Sequence, residues 1–334
     1  MENNSIKISV LLSVYNGDKY LGEAIDSILG QTFKEFEFLI VDDASTDNTL
    51  DILSQYKEKD PRVKIISNEI NKGLTYNLNL MLGIAKGAYI VRMDADDIAS
   101  LNRLQVQYDY MESHSEIGVC GSYIETFDQQ SGKKQSVKFP ETDVEIRAFA
   151  FFQSPFCHPS TIIRKAIIDK YHLQYPVKYI KGQDYALWID LLKYTKGSNI
   201  PQVLLRFRRH ENCVSNWDMK KMDQKIEMVS SIHKKYLSNY NIDLDEKDLC
   251  HYTAFVDRSI PSELGIAEQK ILSKVLQNFL FQIGNKEKEI YFSTIHYLSM
   301  ICFYKFFIKK KIPVTFVLQK LFLKGLIIYV KRTV

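Results

Sequence analysis

Four short apolar, β-branched runs, Lys7–Val14, Phe36–Val41, Val63–Ser67 and Ala88–Met93, alternate with segments that carry the 3.6-residue periodicity of helices. Leu21, Ile25, Ile28 and Leu29 share one helical face, Leu50, Ile52, Leu53 and Tyr56 suggest a second helix, and Leu74, Leu78, Leu82 and Ala85 mark a third. A βαβαβαβ order leaves few topologies open. Right-handed crossovers give a mainly parallel sheet covered by helices, with every strand's carboxyl end along one edge. Ligands bind at that edge in α/β folds. Tyr15-Asn16, Asp42-Asp43 and Asp94-Ala95-Asp96-Asp97 each directly follow a predicted strand, so three distant polar segments converge there.

The 334 residues exceed one typical domain, and the pattern predicts two. Residues 1–100 form a ligand-binding half. Residues 101–215 complete the same domain, with a helix near Leu101–Ser113, a strand near Ile117–Phe127, a turn at Ser131–Lys134 and a helix at Gln183–Tyr194. Residues 216–334 read as a helical appendage. Five cysteines, widely spaced and without a CxxC pair, fit a reducing cytosol better than a disulfide scaffold or a zinc site. A net charge of +4 is too small to imply nucleic acid. Neither a signal peptide nor an apolar run of spanning length is evident. Walker, dinucleotide-glycine and HExxH motifs are absent, which removes ATP, NAD and zinc-hydrolase readings.

Alternating carboxylates after a strand supply hard oxygen ligands suited to Mn2+ or Mg2+ bridging to phosphate, with Asp94 and Asp96 the best placed. Taken alone, so short a motif is more often a solvated acidic turn; its place after the buried-looking strand Tyr89-Ile90-Val91-Arg92-Met93 favours the metal reading. In Val41-Asp42-Asp43-Ala44-Ser45-Thr46-Asp47 one carboxylate is placed to accept hydrogen bonds from a base or ribose, while Thr46 or Asp47 fits a helix cap.

Ser13-Val14-Tyr15-Asn16, Val41-Asp42-Asp43-Ala44-Ser45, Asn71-Lys72-Gly73-Leu74 and Asp94-Ala95-Asp96-Asp97 together resemble the inverting family-2 glycosyltransferases of bacterial surface-polysaccharide synthesis, over about residues 6 to 215. The resemblance implies the Rossmann-like GT-A fold and a nucleotide-sugar site built from Ser13, Tyr15, Asn16, Asp43, Lys72, Asp94 and Asp96. In it Tyr15 borders the base, Asp43 contacts the base, usually uracil, and Asp94 and Asp96 meet ribose and metal. Lys72 reaches toward phosphate, although an exposed Lys on a Gly turn also serves solubility. Gly182-Gln183-Asp184-Tyr185 matches a segment in which many members have Glu-Asp; Asp184 then stands where the family has its catalytic base. A sugar hydroxyl losing its proton as it attacks the anomeric carbon needs such a carboxylate, while the plainer use of Asp184 is a favourable charge at a helix start. His210, in a segment similar to the family's Arg-x-His, is a metal or diphosphate contact or else a structural His. His158, Gln183 and Trp188 are assigned to the acceptor side, with His158 also readable as a hydrogen-bonded turn. The processive Gln-x-x-Arg-Trp motif is not reproduced by Gln202–Phe207, which implies addition of a single sugar.

Residues 300–334 hold eight Lys or Arg and no acid, alongside aromatics such as Tyr291, Phe292 and Tyr297 just before them. Such a segment suits an anionic lipid surface, or helices packed on the protein. The expected function is therefore transfer of one sugar from a nucleotide-sugar, UDP-hexose or UDP-N-acetylhexosamine, to a lipid-linked saccharide acceptor at the cytoplasmic face of the inner membrane. A catalytically inactive relative acting as a scaffold is the alternative. A sugar nucleotidyltransferase fits less well, because Ser13–Tyr20 lacks a basic, Gly-rich loop.

Overall fold

The computed structural model describes residues 6–179, 181–210, 221–257 and 288–303. The first hundred residues fold as the apolar pattern dictates: β1 (Ile8–Val14), α1 (Asp18–Leu29), β2 (Phe36–Asp42), α2 (Thr49–Lys59), β3 (Val63–Ser67), α3 (Leu74–Ile84) and β4 (Tyr89–Arg92). β2, β1 and β4 are buried along almost their whole length, as strands covered on both faces must be, whereas β3 at the sheet's end is only half-buried. These four strands are parallel, and their register aligns the carboxyl ends of β1 and β2: Val14 pairs with Asp42. β4 pairs Arg92 with Leu11, so Asp94 leaves the sheet beside the last residues of β1.

The second half departs from a purely parallel arrangement. β5 (Ile98–Ala99), α4 (Arg103–Ser113), β6 (Ile117–Asp128), β7 (Lys134–Val137), β8 (Ile162–Arg164), α6 (Lys165–Tyr171), α7 (Gln183–Leu191) and β9 (Lys196–Arg209) extend the sheet, while α5 (Asp143–Phe149) lies between β7 and β8 in sequence. The nine strands run in the order β3-β2-β1-β4-β8-β6-β9-β5, with β7 on β6. β8 is antiparallel to β4 and to β6, and β9 is parallel to β6. The α/β sheet flanked by helices matches the expected fold class, with this mixed half added.

By contacts the chain forms two units, 1–141 with 156–213, and 142–155 with 214–334. The sequence reading placed 142–155 in the first unit; the structure assigns it to the second. There Thr142 and Glu145 close a capping box on α5. α8 (Met222–Ser238), α9 (Glu246–Val256) and α10 (Lys288–Phe303) complete what is described of that unit. Tyr236 Oη donates to the Arg147 carbonyl (2.9 Å) and Tyr252 Oη to that of Phe151 (2.6 Å). Tyr297, grouped above with residues suited to lipid, instead packs edge-on against Phe149 with ring centroids 5.0 Å apart. The basic segment from 304 onward lies outside the described residues. Among the described residues no helix is long and apolar enough to cross a membrane.

Gly87, just before β4, lies against the first residues of β1. A Cβ there would meet the Ser9 nitrogen at 2.4 Å and the Ile8 carbonyl carbon at 2.5 Å, both backbone atoms in the sheet's centre. Gly87→Ala is therefore expected to cost about 1–3 kcal/mol through overpacking, seen as a lower urea midpoint. Gly83→Ala, with nothing within 4 Å of its Cβ, leaves the midpoint unchanged or raises it.

Candidate active site

Two loops are tied together at the carboxyl edge of the sheet. Asn16 adopts a left-handed backbone (φ 50°), and its N–H donates to Ser45 Oγ (2.9 Å) while its side-chain oxygen accepts from the Thr46 N–H (2.8 Å). Gly17 N–H donates to Thr49 Oγ1 (2.9 Å) and Asp18 N–H to Asp47 (3.1 Å). Asn16, expected at the nucleotide, is thus the clasp between β1 and the loop after β2. Asp47 spans both loops instead of only capping α2: it also accepts from the Thr49 N–H (3.0 Å). Tyr15 remains 52% exposed at this edge.

Asp43 is 3% exposed and holds a third loop. Its carboxylate accepts from the Lys72 N–H (2.8 Å), the Gly73 N–H (2.8 Å) and Asn68 Nδ2 (2.7 Å). Burial alone would raise its pKa; the donors from Lys72, Asn68, Asn77 and Gly73 overcome that and hold it below the usual carboxylate range. Gly73 can present its N–H because it takes φ +84°, which a side chain would resist. Asn77 links onward, donating to Ser13 Oγ (3.0 Å). Ser13, Asp43 and the 71–73 turn are therefore linked by hydrogen bonds. Lys72 rests its ammonium over the Tyr76 ring, 4.7 Å from the centroid.

The densest charge follows β4. One oxygen from each of Asp94, Asp96 and Asp97 lies within 4.8 Å of the other two. Asp94 pairs with the buried Arg92. Asp96 Oδ2 lies 2.7 Å from His210 Nε2. Asp97 is 0% exposed; one oxygen accepts from the Arg208 N–H (2.9 Å), and the other is buried without a partner. Burial raises the Asp94 and Asp97 pKa values, Asp97 strongly, and the neighbouring carboxylates add to this, while Arg92 opposes it. Three crowded carboxylates with an orphaned buried oxygen, plus an imidazole, fit a small divalent cation of the Mn2+ or Mg2+ kind.

Asp184 lies in the first turn of α7, after Gly182 at φ +79°. Burial raises its pKa, the Tyr185 N–H and Arg92 oppose this, and Asp94 adds to it. Arg92 and Asp94 thus both act on Asp184 electrostatically. His158 Nε2 is hydrogen-bonded to Tyr175 Oη (2.9 Å), and burial together with Arg92 holds it neutral, well below the ordinary His pKa. Burial and the carboxylates of Asp97, Asp94 and Asp184 keep the Cys157 thiol protonated.

The acceptor assignments need one correction. Trp188 is 0% exposed, packed edge-on against Phe156 (5.6 Å) and His158 (5.8 Å), which is core packing and not an open acceptor surface. Gln183 is also buried, with an unpartnered Oε1. Arg92 and Arg208 were not singled out from the sequence as parts of the site. An arginine within Tyr89-Ile90-Val91-Arg92-Met93, an otherwise apolar strand, was the available signal, because buried charges require partners.

A sequence profile described as Glycosyl transferase family 2 matches residues 9–172. An uncharacterized glycosyltransferase of Haemophilus influenzae is 30% identical over 255 residues, covering 73% of this chain and 78% of that protein. The Escherichia coli protein named UDP-Glc:alpha-D-GlcNAc-diphosphoundecaprenol beta-1,3-glucosyltransferase WfaP is 30% identical, with 67% of this chain and 86% of WfaP covered. Among solved structures, residues 1–349 of S. aureus TarS in complex with UDP-GlcNAc superpose with a TM-score of 0.61 at 20% identity, covering 97% of this chain and 89% of that one; this likeness concerns the fold.

Asp43 generates a stability prediction. Its depressed pKa means its ionised form stabilises the fold fully above the ordinary carboxylate value, and that contribution is lost as pH falls through the folded-state value. Asp43→Asn should lose about 2 kcal/mol at pH 7, as charged hydrogen bonds are removed. In urea titrations the gap between wild type and variant should narrow on acidification below the ordinary carboxylate pKa; a pH-independent gap would contradict it.

Proposed function

The chain belongs to glycosyl transferase family 2, and from that premise we propose that it moves one sugar from a nucleotide-sugar donor to a saccharide acceptor with inversion. A UDP-hexose or UDP-N-acetylhexosamine donor and an acceptor on a lipid diphosphate complete the reading, in synthesis of a bacterial capsule, O-antigen or exopolysaccharide. WfaP, by its name, uses UDP-Glc on such a lipid-linked acceptor, and its beta linkage is what inversion of an α-linked donor gives. The observation that carries the proposal is the cluster after β4, where one oxygen from each of Asp94, Asp96 and Asp97 lies within 4.8 Å of the other two and His210 Nε2 lies 2.7 Å from Asp96 Oδ2.

In this reading Tyr15 borders the base, the loop latched by Asp43 closes on the nucleoside, and Asp94, Asp96 and His210 hold the divalent cation with Asp97 beside them. When bound, that cation supplies charge neutralisation for the departing diphosphate. The acceptor is held with a hydroxyl against Asp184. As the hydroxyl oxygen forms its bond to the anomeric carbon, the bond from that carbon to the diphosphate breaks. The nucleoside diphosphate leaves with the electron pair, and the hydroxyl proton passes to Asp184. His158 Nε2 is hydrogen-bonded to Tyr175 Oη (2.9 Å), and burial together with Arg92 pushes its pKa down, which weakens it as a proton acceptor. The basic segment from 304 onward lies against anionic lipid at the cytoplasmic face, where a lipid-linked acceptor resides.

Three outcomes are expected. Asp184→Asn should lower kcat about 10²- to 10⁴-fold, the usual worth of a general base. Wild-type kcat/KM should fall on the acid side with an apparent pKa above the ordinary carboxylate value, because Asp184 is raised and must be ionised to act. Nucleotide release from a panel of sugar nucleotides, with Mn2+ and with chelator, is the measurement; full activity in the Asn variant or turnover in chelator refutes the mechanism. Removal of residues 304–334 should abolish co-sedimentation with anionic vesicles while leaving donor hydrolysis intact, and undiminished sedimentation would disprove the lipid contact.

A further inference from the structure

Arg208 is 2% exposed near the end of β9 and joins four parts of the catalytic unit. Its N–H donates to Asp97 Oδ1 (2.9 Å), and its Nε donates to the Asp96 carbonyl (2.8 Å). One terminal nitrogen donates to Glu23 on α1 (2.8 Å) and the other to Gln129, just beyond β6. The guanidinium carbon lies 4.3 Å from the Tyr20 ring centroid and 4.6 Å from that of Phe127. Two residues on, His210 Nε2 meets Asp96 Oδ2 at 2.7 Å, and its ring lies 5.4 Å from the same Tyr20.

Crowded carboxylates relieve their repulsion by moving apart, so a loop carrying three of them holds its shape only if something outside it fixes the backbone. We propose that Arg208 is the positioning residue that sets the divalent-cation affinity of the Asp94–Asp96–Asp97 cluster. Its guanidinium clamps the Asp96 carbonyl to the end of β9, where its backbone N–H already holds the Asp97 side chain, and so brings His210 onto Asp96. The buried, unpartnered Asp97 Oδ2 shows that the clamped loop keeps an acceptor turned away from any protein donor among the described residues. A planar guanidinium reaches a carbonyl, a carboxylate and an amide at once; a lysine ammonium keeps the charge but not the fork. The inference rests on the metal-dependent reading given under the proposed function.

The test is titration of the nucleotide-free protein with Mn2+, following the free ion by electron paramagnetic resonance, with UDP binding in chelator measured alongside. Arg208→Lys is expected to weaken Mn2+ binding about 10- to 100-fold, the range for groups that orient metal ligands, while metal-free UDP binding is unchanged. Excess Mn2+ should then restore most of kcat. Glu23→Gln loosens the same guanidinium from the far side at a 56% exposed position and should weaken Mn2+ less, in the same direction. Wild-type Mn2+ affinity in both variants, or an equal loss in Arg209→Ala, overturns the inference alone. A wild-type protein that binds no Mn2+ overturns it together with the metal-dependent reading.

Discussion

Mutual repulsion among three carboxylates, with oxygens drawn within 4.8 Å of one another at the end of a buried strand, is the cost around which the catalytic unit is arranged. The fold distributes the compensation. Arg92 pairs with Asp94 from inside the sheet. Arg208 holds the backbone and side chain of the next two acids from β9. Arg103, on α4, donates to the Arg92 carbonyl (2.9 Å) and has its pKa drawn down to about 10 by burial, with Asp97 opposing the shift. Three arginines thus come from β4, α4 and β9, and the order of strands in the sheet is what lets them converge.

That order also explains why the antiparallel half exists. A parallel sheet of β3, β2, β1 and β4 presents its loops at one edge and nothing opposite them. Reversing β8 against β4 places the His158–Ser160 turn, which immediately precedes β8, beside the carboxyl end of β4, with the Thr161 carbonyl accepting from the Arg92 N–H (3.2 Å). The return of β9 parallel to β6 then delivers Arg208 and His210 to the same edge. Residues far apart in the chain meet at this edge because β8 reverses direction between β4 and β6.

The sequence made the parallel half legible because β1, β2 and β4 are buried on both faces and therefore read as continuous apolar runs. β9 was hidden by Pro201 and Gln202, which sit where its pairing with β6 shifts between Ser122 and Tyr123; a proline in an apparent strand argues against the strand unless a bulge is recognised. The membership of 142–155 in the second unit depends on contacts with residues far along the chain, such as Tyr236 and Tyr252, which no local pattern encodes. At the site, Asp43 and Asp94 stood out by position after strands, whereas Asp184 required the family resemblance, since a carboxylate in a helix's first turn is common. Trp188, assigned to the acceptor side from the resemblance of its segment, is packed edge-on against Phe156 and buried, which no local sequence pattern reveals.

The same charge field extends to Asp184. Burial on α7 and the nearby Asp94 push its pKa up, and Arg92, already shared with Asp94, pulls it down. A general base works best when it is ionised at the working pH yet not so weak that it declines the proton, and a carboxylate raised from its ordinary value moves toward that condition. Arg92 opposes that rise. The arginine inside β4 therefore serves two purposes at once: it supports the acid that begins the donor-side cluster and moderates the acid assigned to proton transfer, so the two halves of the site are electrostatically one.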